Sequence, residues 1–286
     1  MARISKEFLR FSMHTPVLLQ QAIEKLNVKP NGLYIDATFG EGGYSREIIS
    51  RGGKVLAIDL DKEQLLKKKS QFLQDEIIFV QGNFAQIEEI AKKNNFYPVD
   101  GVVFDLGLSM EQIKNSGRGF SYKNEDEILD MRIDISQDLK AVDLLKKKSA
   151  EELEEIFSKY SEEINSKKIA LEIKKRKRIE KVKDLLKAID KALGFKSEKT
   201  YSRIFQALRI AVNNEFENLK KGLSGALKII KKEGRIVVIS FHSLEDRIVK
   251  NFVKEKKLSF LEKKPIRGVF SYERSAKLRK IILLKK

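Results

Sequence analysis

Short apolar segments rich in Ile, Val and Phe alternate with longer helical stretches along this chain. Five of these segments have the length and composition of strands: Gly32–Ala37, Lys54–Asp59, Ile77–Gln81, Asp100–Leu106 and Arg235–Ser240. A further segment, Leu278–Leu284, predicts a final strand. Such alternation is typical of a parallel sheet covered by helices, because parallel strands need long crossover connections. We therefore predict an α/β fold.

The alternation stops for a long stretch in the middle of the chain. From about Gln112 to Thr200 the sequence predicts a loop over Ser116–Asp134 and then charged helices, without a clear strand. One of these helices carries apolar residues at the i, i+3, i+4, i+7 spacing of a single face: Val182, Leu185, Leu186 and Ile189. We therefore predict an α/β domain in two parts, residues 1–111 and 200–286, with an inserted helical domain over residues 112–199.

The composition excludes several classes of protein. The 286 residues include 58 basic and 41 acidic side chains, for a net charge of +17. This excess suits a polyanionic partner such as nucleic acid, but a solvated lysine-rich surface explains it equally well. Because no apolar run reaches the length of a membrane span and no signal peptide is recognisable, we expect a cytoplasmic protein without membrane contact. The chain has no cysteine and two histidines, so we expect no disulfide, no thiolate chemistry and no catalytic metal.

A glycine-rich segment joins the first predicted strand to the following helix. It reads Asp36-Ala-Thr-Phe-Gly40-Glu-Gly42-Gly43-Tyr44-Ser45. Glycines let the backbone approach a ligand closely, and the first turn of a helix offers free N–H groups. Asp59 ends the second strand, where a carboxylate can accept hydrogen bonds from both hydroxyls of a ribose. Together these features favour a nucleotide-type cofactor over a purely structural turn.

The charges of this segment discriminate between two cofactor classes. A dinucleotide-binding fingerprint has glycine where this chain has Ser45, and the carboxylates of Asp36 and Glu41 would repel a pyrophosphate. The same carboxylates suit a ligand with an ammonium and a sulfonium group, such as S-adenosylmethionine. We expect that cofactor, with a nicotinamide-dependent dehydrogenase as the alternative. From the residues alone, Phe84 after the third strand is better explained as a core aromatic than as a cofactor contact.

Further motifs follow the fourth predicted strand. They are Asp105-Leu-Gly-Leu-Ser109, Arg118-Gly-Phe-Ser, Leu129-Asp-Met-Arg, Ser202-Arg-Ile-Phe-Gln-Ala-Leu-Arg-Ile-Ala-Val-Asn213 and Ile239-Ser-Phe-His-Ser-Leu-Glu-Asp-Arg247. Together with His14-Thr-Pro-Val-Leu-Leu19 and the Asp36–Ser45 loop, they make seven motifs. By these motifs and their order, the sequence resembles the bacterial 16S ribosomal RNA cytosine-N4 methyltransferases. Tyr44 stands where that family usually has histidine.

The resemblance implies a class I (Rossmann-like) methyltransferase fold with a helical insertion, acting on a cytosine in the decoding region of 16S ribosomal RNA. It also implies a set of residues that contact S-adenosylmethionine: Gly42, Gly43, Tyr44, Asp59, Phe84, Asp105 and Gln112. For Phe84 this implication replaces the core assignment, and for Asp36 it implies a role in orienting the loop. The partner would be 16S ribosomal RNA or the small ribosomal subunit. Whether the chain forms a homodimer stays open.

The residues restrict the chemistry of methyl transfer. Methylation at cytosine C5 needs a cysteine nucleophile, which this chain lacks. Methylation at the exocyclic N4 needs instead a hydrogen-bond acceptor beside the amine, together with accurate positioning. We nominate Asp105 as that acceptor and catalytic residue. His242 either receives the released proton or is a strand-end histidine bonded to neighbouring backbone, and His14 we interpret as structural.

Two regions are candidates for RNA contacts. Between Lys167 and Lys183 nine basic and two acidic residues give a local charge of +7, which predicts either an RNA clamp or a solvated face. Phe120 and Tyr122 could stack on an unpaired base. One helix stripe predicts core packing: Ile204, Phe205, Leu208, Ala211 and Val212. The other side of this helix would present four polar residues that are free to face the site: Arg203, Gln206, Arg209 and Asn213. The non-enzymatic alternative is a ribosome-binding module that has lost its activity.

Overall fold

Eight strands form one sheet in the part of the chain that the computed structural model describes, which is residues 16–73, 75–260, 262, 264–268 and 275–282. The strands are β1 (Leu33–Asp36), β2 (Lys54–Asp59), β3 (Ile77–Gln81), β4 (Val99–Asp105), β5 (Ile230–Ser240), β6 (Ser259–Phe260), β7 (Ile266–Arg267) and β8 (Lys277–Ile282). Their order is β3-β2-β1-β4-β5-β8-β6, and β7 also pairs with β8. Strands β1 to β5 are parallel, whereas β8 is antiparallel to β5. The predicted α/β fold is confirmed.

The predicted strands agree with the observed ones apart from their ends. β2 and β3 have the predicted bounds, and β1 and β4 differ by single residues. β5 begins earlier, at Ile230, because its charged first half still pairs with β4 across a register irregularity. The short strands β6 and β7 were not predicted, since two residues are too few to show a periodic pattern. Leu283 and Leu284, at the end of the last predicted strand, lie outside the described residues, as does His14.

Helices cover both faces of the sheet. They are α1 (Leu19–Leu26), α2 (Gly43–Ser50), α3 (Lys62–Lys69), α4 (Ile87–Lys93), α5 (Met110–Asn115), α6 (Ala141–Lys147), α7 (Ala150–Ser161), α8 (Ser166–Lys175), α9 (Val182–Leu193), α10 (Glu198–Asn213), α11 (Glu215–Ile229) and α12 (Ser243–Glu255). In β4, Val102 and Phe104 pack in one core with α4, α11 and α12, while Val103 packs in a second core with α1 and α2. Burial on both faces explains why the strands appear in the sequence as continuous apolar runs.

The inserted region has an apolar core of its own. Helices α6 to α9 pack there, and the predicted apolar faces of α9 and α10 both contribute to it. Within the described chain, the only strand-like pairing of the predicted loop before α6 is an isolated β-bridge between Ile128 and Lys181. Because α10 shares this core as far as Val212, the packing favours a later end of the insert. The division at residues 112–199 stays a prediction. None of the described helices is long and apolar enough to cross a membrane.

The fold gathers polar residues at one edge of the sheet. β1, β2, β4 and β5 are parallel and end at Asp36, Asp59, Asp105 and Ser240. The carboxyl ends of parallel strands meet at a common edge, which is where ligands of open α/β sheets bind. The three aspartates therefore stand side by side in the order set by the sheet.

Candidate active site

The loop after β1 is built around glycines in unusual backbone conformations. Gly40 and Gly42 have positive φ angles, +51° and +75°, which side chains other than glycine adopt rarely. The backbone N–H of Gly40 donates to Asp59 Oδ2 at 2.8 Å, so the loop is tied to the end of β2. A Cβ atom on Gly43 would lie 2.1 Å from Pro16 Cγ, which leaves no room for a larger residue. These constraints hold the loop close to the edge of the sheet.

A cavity of about 450 Å³ lies over this edge. Its lining includes six of the residues for which cofactor contact was predicted: Gly43, Tyr44, Asp59, Phe84, Asp105 and Gln112. Gly42, the remaining one, does not line the cavity; its N–H donates to the Phe39 carbonyl as the chain enters α2. The cavity is large enough for a small-molecule cofactor. Cofactor contact by each of these residues stays a prediction.

Asp59 is arranged to bind a polar ligand group. Its Oδ2 accepts from Gly40 and its Oδ1 accepts from the N–H of Asp61 at 2.9 Å. Burial raises the pKa of Asp59 to about 6, against the lowering effect of these backbone hydrogen bonds. A carboxylate has further acceptor positions on each oxygen. Asp59 can therefore accept hydrogen bonds from ligand hydroxyls without losing its hold on the loop.

Asp36 and Asp105 are two further desolvated acids at this edge of the sheet. Burial raises the pKa of Asp36 to about 6, although the Ser45 hydroxyl donates to its Oδ2 at 2.7 Å. This bond supports the predicted role of Asp36 in orienting the loop. Burial raises the pKa of Asp105 further, to about 8, and the charges of Asp36 and Glu245 add to the effect. Asp105 Oδ1 is buried without a hydrogen-bond partner among the described residues, although Asp105 lines the cavity.

Tyr44 connects the loop to Asp105. Its hydroxyl donates to the carbonyl oxygen of Val17, and a hydrogen bond between Tyr44 and Asp105 lowers the pKa of that aspartate. The aromatic ring is buried in the core under the loop. A tyrosine thus supplies a hydroxyl at a position where histidine is usual in the family that the sequence resembles.

Phe84 and Gln112 combine structural and cavity-lining roles. Phe84 packs edge-on against Phe104, with ring centroids 5.6 Å apart, and also lines the cavity; its contact with a cofactor stays a prediction. Gln112 closes a capping box with Ser109 at the start of α5, and its Nε2 donates to Asp61 Oδ2 at 3.3 Å. The Ser-x-x-Gln pattern at these positions was a sequence signal for this helix start.

Residues from β5 onward and from α10 form the other wall of the cavity. They are Phe241, His242, Gln206 and Arg209.

All four polar residues of α10 that were expected to face the site freely are in fact hydrogen-bonded. Gln206 donates to the Tyr160 carbonyl at 3.0 Å and Arg209 pairs with Glu215. Arg203 pairs with Glu163 outside the cavity lining, and Asn213 is buried against the carbonyl of Met131. That expectation was therefore wrong for Arg203 and Asn213.

His242 caps the helix that follows β5. Its Nδ1 accepts from the N–H of Glu245 at 3.4 Å, and its Nε2 lies 3.1 Å from Glu245 Oε1. Burial raises the pKa of Glu245, but His242 and Arg209 together hold it below its usual value. Nδ1 is thus used by the helix cap, whereas Nε2 is buried without a hydrogen bond within the described residues, so both roles considered for His242 stay predictions.

A larger cleft of about 1040 Å³ adjoins the cavity, between the sheet and the inserted region. Arg118 crosses it. Its Nη2 lies 3.5 Å from Asp61 Oδ2, and its Nη1 donates to the carbonyl oxygens of Arg132 and Ile133 at 2.8 and 3.0 Å. Ile133 lines the cavity as well. Arg118 therefore links the loop after β2 with a segment of the insert that borders the cavity.

The comparison with known proteins decides the family. The chain matches the profile of the MraW methylase family over residues 11–282. It belongs to this family. Ribosomal RNA small subunit methyltransferase H of Buchnera aphidicola subsp. Cinara cedri is 44% identical to it over 257 residues, covering 86% of this chain and 83% of the relative. The protein of the same name from Caldicellulosiruptor saccharolyticus is 41% identical over 281 residues, covering 88% and 91%.

A solved structure supports the fold of this MraW methylase family member. The crystal structure of NSun6 from Pyrococcus horikoshii with SFG aligns with a TM-score of 0.50 at 11% identity, and the alignment covers 99% of this chain and 56% of that chain. At this identity the likeness concerns the fold alone. Together with the strand order it confirms the class I methyltransferase fold that the sequence resemblance implied.

The aromatic residues expected to stack on RNA are engaged elsewhere in this MraW methylase family member. Phe120 and Tyr122 are half-buried and pack against the core of the insert. The ring of Tyr122 lies 5.8 Å from that of Tyr201, and its hydroxyl donates to Glu198 Oε2 at 3.3 Å. These contacts give both residues a structural role in the insert. Stacking of their exposed parts on an unpaired base stays a prediction.

The basic segment Lys167–Lys183 divides into bound and solvated side chains. Lys174 donates to the carbonyls that end α6, and Arg176 donates to the Lys187 carbonyl at 2.8 Å. Arg178 pairs with Glu180 at 2.6 Å. By contrast, Lys167, Lys168 and Lys177 are exposed and make no side-chain hydrogen bond or close ion pair within the described ranges. Only part of the +7 charge is therefore available to a polyanion.

No group of three or more His, Cys, Asp or Glu side chains among the described residues is placed to hold a metal ion. That the protein uses no metal stays a prediction.

Proposed function

We propose that this protein transfers a methyl group from S-adenosylmethionine to the exocyclic N4 of a cytosine in the decoding region of 16S ribosomal RNA. One observation carries the proposal: the cavity at the sheet edge contains Asp105, an acid with a buried oxygen that lacks a partner among the described residues. Membership of the MraW methylase family and the names of its relatives agree with this activity.

The cavity fits the charge of the proposed cofactor. Glu41, Asp59 and Asp105 contribute carboxyl groups to its lining; Glu41 is paired with Lys68, and Arg209 is neutralised by Glu215. S-adenosylmethionine carries an ammonium and a sulfonium group, which such a lining attracts. Asp59 can accept its ribose hydroxyls, and the exposed part of Phe84 offers an apolar surface for its adenine. A pyrophosphate would meet repulsion instead, which disfavours the dinucleotide alternative.

The side chains of the protein accept the proton from N4 and position the reacting groups. When bound, the cofactor supplies an electrophilic methyl group on its sulfonium. The lone pair of a cytosine N4 is delocalised into the ring, and an acceptor for its N–H makes that pair available. Asp105 can act as this acceptor. In the ligand-free protein the pKa of Asp105 is raised to about 8, so its carboxyl group is largely protonated at neutral pH. A bound sulfonium would favour the carboxylate, and the carboxylate is the form that can accept the N–H and hold the released proton.

The experiment is a methyl-transfer assay with labelled cofactor on small ribosomal subunits and on naked 16S ribosomal RNA, each from cells lacking the gene. Nucleoside mass spectrometry then identifies the product. We expect label in N4-methylcytosine, from one of the two substrates or from both. Absence of transfer to either substrate, or label in another nucleoside, would contradict the proposal. Asp105→Asn should reduce turnover at saturating cofactor by about a hundredfold, the scale of losing one positioned polar group.

A further inference from the structure

The wall of the cavity opposite the glycine-rich loop after β1 has so far been given no role in the reaction. Along the edge of the sheet, Asp105 stands between the end of β2, where Asp59 lies, and the end of β5, which leads into Phe241 and His242. Arg209 lines the same cavity from α10. If the cofactor lies on the Asp59 side of Asp105, the base that receives the methyl group lies on the Arg209 side.

Arg209 is held in a fixed orientation. Its Nε donates to Glu215 Oε1 at 2.9 Å and its Nη2 donates to Glu215 Oε2 at 3.0 Å, which is a bidentate pair. Burial lowers the pKa of Arg209, but the charges of Glu215 and Glu245 raise it above its usual value, so the group stays a cation. Because a guanidinium is a fork of N–H donors, this pair leaves the donors of Nη1 and the outer hydrogen of Nη2. No further side-chain bond of Arg209 is formed within the described residues.

We propose that Arg209 selects the target base by donating hydrogen bonds to N3 and O2 of the cytosine; this inference rests on the proposed function. A guanidinium offers donors only, and it matches two adjacent acceptors. Cytosine presents N3 and O2 next to its amine. Adenine has one ring acceptor beside its amine and then a C–H group, while uracil has an N–H at N3. The donors of Arg209 therefore match cytosine alone among these bases.

The chain supplies a matched control on the same helix. Arg203 lies on α10 and pairs with a carboxylate, Glu163 Oε2, at 3.4 Å, as Arg209 does with Glu215. Arg203 does not line the cavity. Replacing either arginine by lysine keeps the positive charge but removes the planar fork. Arg209→Lys therefore tests recognition, and Arg203→Lys tests the general effect of losing a paired arginine from this helix.

The experiment uses RNA fragments of the decoding region whose target base is cytosine, 3-deazacytosine or adenine. In 3-deazacytosine a C–H group replaces N3, so the base has one acceptor fewer. For the wild-type protein we expect kcat/KM to be about tenfold to a hundredfold lower with 3-deazacytosine than with cytosine, the range for losing one hydrogen bond to a charged group. We expect the same ratio in Arg203→Lys and a smaller ratio in Arg209→Lys, because a lysine ammonium lacks the fixed fork of donors. The preference for cytosine over adenine should fall in Arg209→Lys alone, while its calorimetric affinity for S-adenosylmethionine stays that of the wild type.

Binding distinguishes recognition from the reactivity of the amine. Affinities of the cytosine and 3-deazacytosine RNAs are compared in the presence of S-adenosylhomocysteine, where no methyl transfer occurs. Equal affinities for the wild-type protein would overturn the inference, even if Arg209→Lys failed to fold. An unchanged ratio in a folded Arg209→Lys protein would overturn it as well. A wild-type protein that methylates none of the RNAs would instead refute the proposed function, and the inference with it.

Discussion

Three aspartates show how the position of a residue in the fold changes its chemistry. Asp36, Asp59 and Asp105 end neighbouring strands, and burial raises their pKa values to about 6, about 6 and about 8. Folding removes water from these carboxyl groups, which disfavours their charged forms. A bound cation would favour the charged forms again. The site is therefore prepared for a positively charged ligand, and its affinity should depend on pH.

We expect the affinity for S-adenosylmethionine to increase as the pH rises from about 6 to about 8.5. Below its raised pKa of about 8, Asp105 is protonated and attracts the sulfonium weakly; above it, the carboxylate is charged. Isothermal titration calorimetry across this range measures the effect. S-adenosylhomocysteine has the same amino acid group but no sulfonium, so its affinity should change less. Equal pH dependence of the two ligands, or no flattening in Asp105→Asn, would contradict this explanation.

Asp59→Ala should weaken S-adenosylmethionine binding by about 1–3 kcal/mol, because ribose hydroxyls lose their acceptor. The N–H groups of Gly40 and Asp61 lose theirs as well. Asp59→Asn retains one acceptor oxygen, and we expect an intermediate loss. Glu63→Gln removes an exposed charge from the adjoining cleft and serves as the control. Calorimetric affinities that match the wild type in Asp59→Ala would exclude the ribose contact.

At the scale of elements, the starts of helices determine where several site residues lie. Ser109 and Gln112 form a capping box at α5, and His242 and Glu245 form one at α12. Each box holds a polar residue at the rim of the cavity while it satisfies backbone groups of the helix. The same residues are thus needed for the helix and are available to the site, which is why sequence motifs at these positions combine both requirements.

The solvated part of the basic segment is tested by the triple variant Lys167→Gln, Lys168→Gln, Lys177→Gln. If these lysines bind phosphates, the slope of log affinity against log salt for small-subunit RNA should flatten by about 0.7–0.9 for each phosphate that the variant no longer neutralises. Filter binding at several salt concentrations measures the slope. Lys174 and Arg176 are left unchanged because each donates to backbone carbonyls of a neighbouring helix.

The control for this triple variant replaces Lys29, Lys54 and Lys232, which are also exposed. They lie near the amino ends of β1 and β2 and in the first half of β5, at the edge of the sheet away from the cavity. Both variants change the net charge equally. The same slope in both would mean that overall charge, rather than this helix face, determines RNA affinity.

At the scale of the whole molecule, Arg118 joins two separately packed regions. It links Asp61, which caps α3, to the carbonyls of Arg132 and Ile133 in the insert. Arg118 and Asp61 are both mostly buried, with side-chain exposures of 17% and 14%. A partly desolvated hydrogen bond to a charged group contributes more than an exposed pair does. The link therefore helps to set the position of the insert over the cavity.

Arg118→Met should lower the free energy of unfolding by about 2 kcal/mol, the scale of a hydrogen bond to a charged group. It should also weaken cofactor binding, since Ile133 borders the cavity. Differential scanning calorimetry and cofactor titration measure the two effects. Arg51→Met removes an exposed pair with Glu47 and should cost less than about 1 kcal/mol. If both substitutions have equally small effects, Arg118 does not couple the two regions.

The sequence by itself determined the strands, the α/β class, the glycine-rich loop and the acids at the strand ends. These features depend on neighbours in the chain: a buried parallel strand needs a continuous apolar run, and a tight loop needs glycine. Resemblance to a known family implied seven cofactor-binding residues, and six of these line the cavity.

Only the tertiary structure decided which side chains are free to act. Phe120 and Tyr122 pack in the insert, Arg203 and Asn213 are bonded away from the cavity, and Arg209 is fixed beside it by Glu215. These outcomes depend on which helix faces meet and on how much water they exclude, and helices of similar periodicity leave both undetermined. The raised pKa values have the same origin, because desolvation arises when distant parts of the chain enclose a carboxyl group.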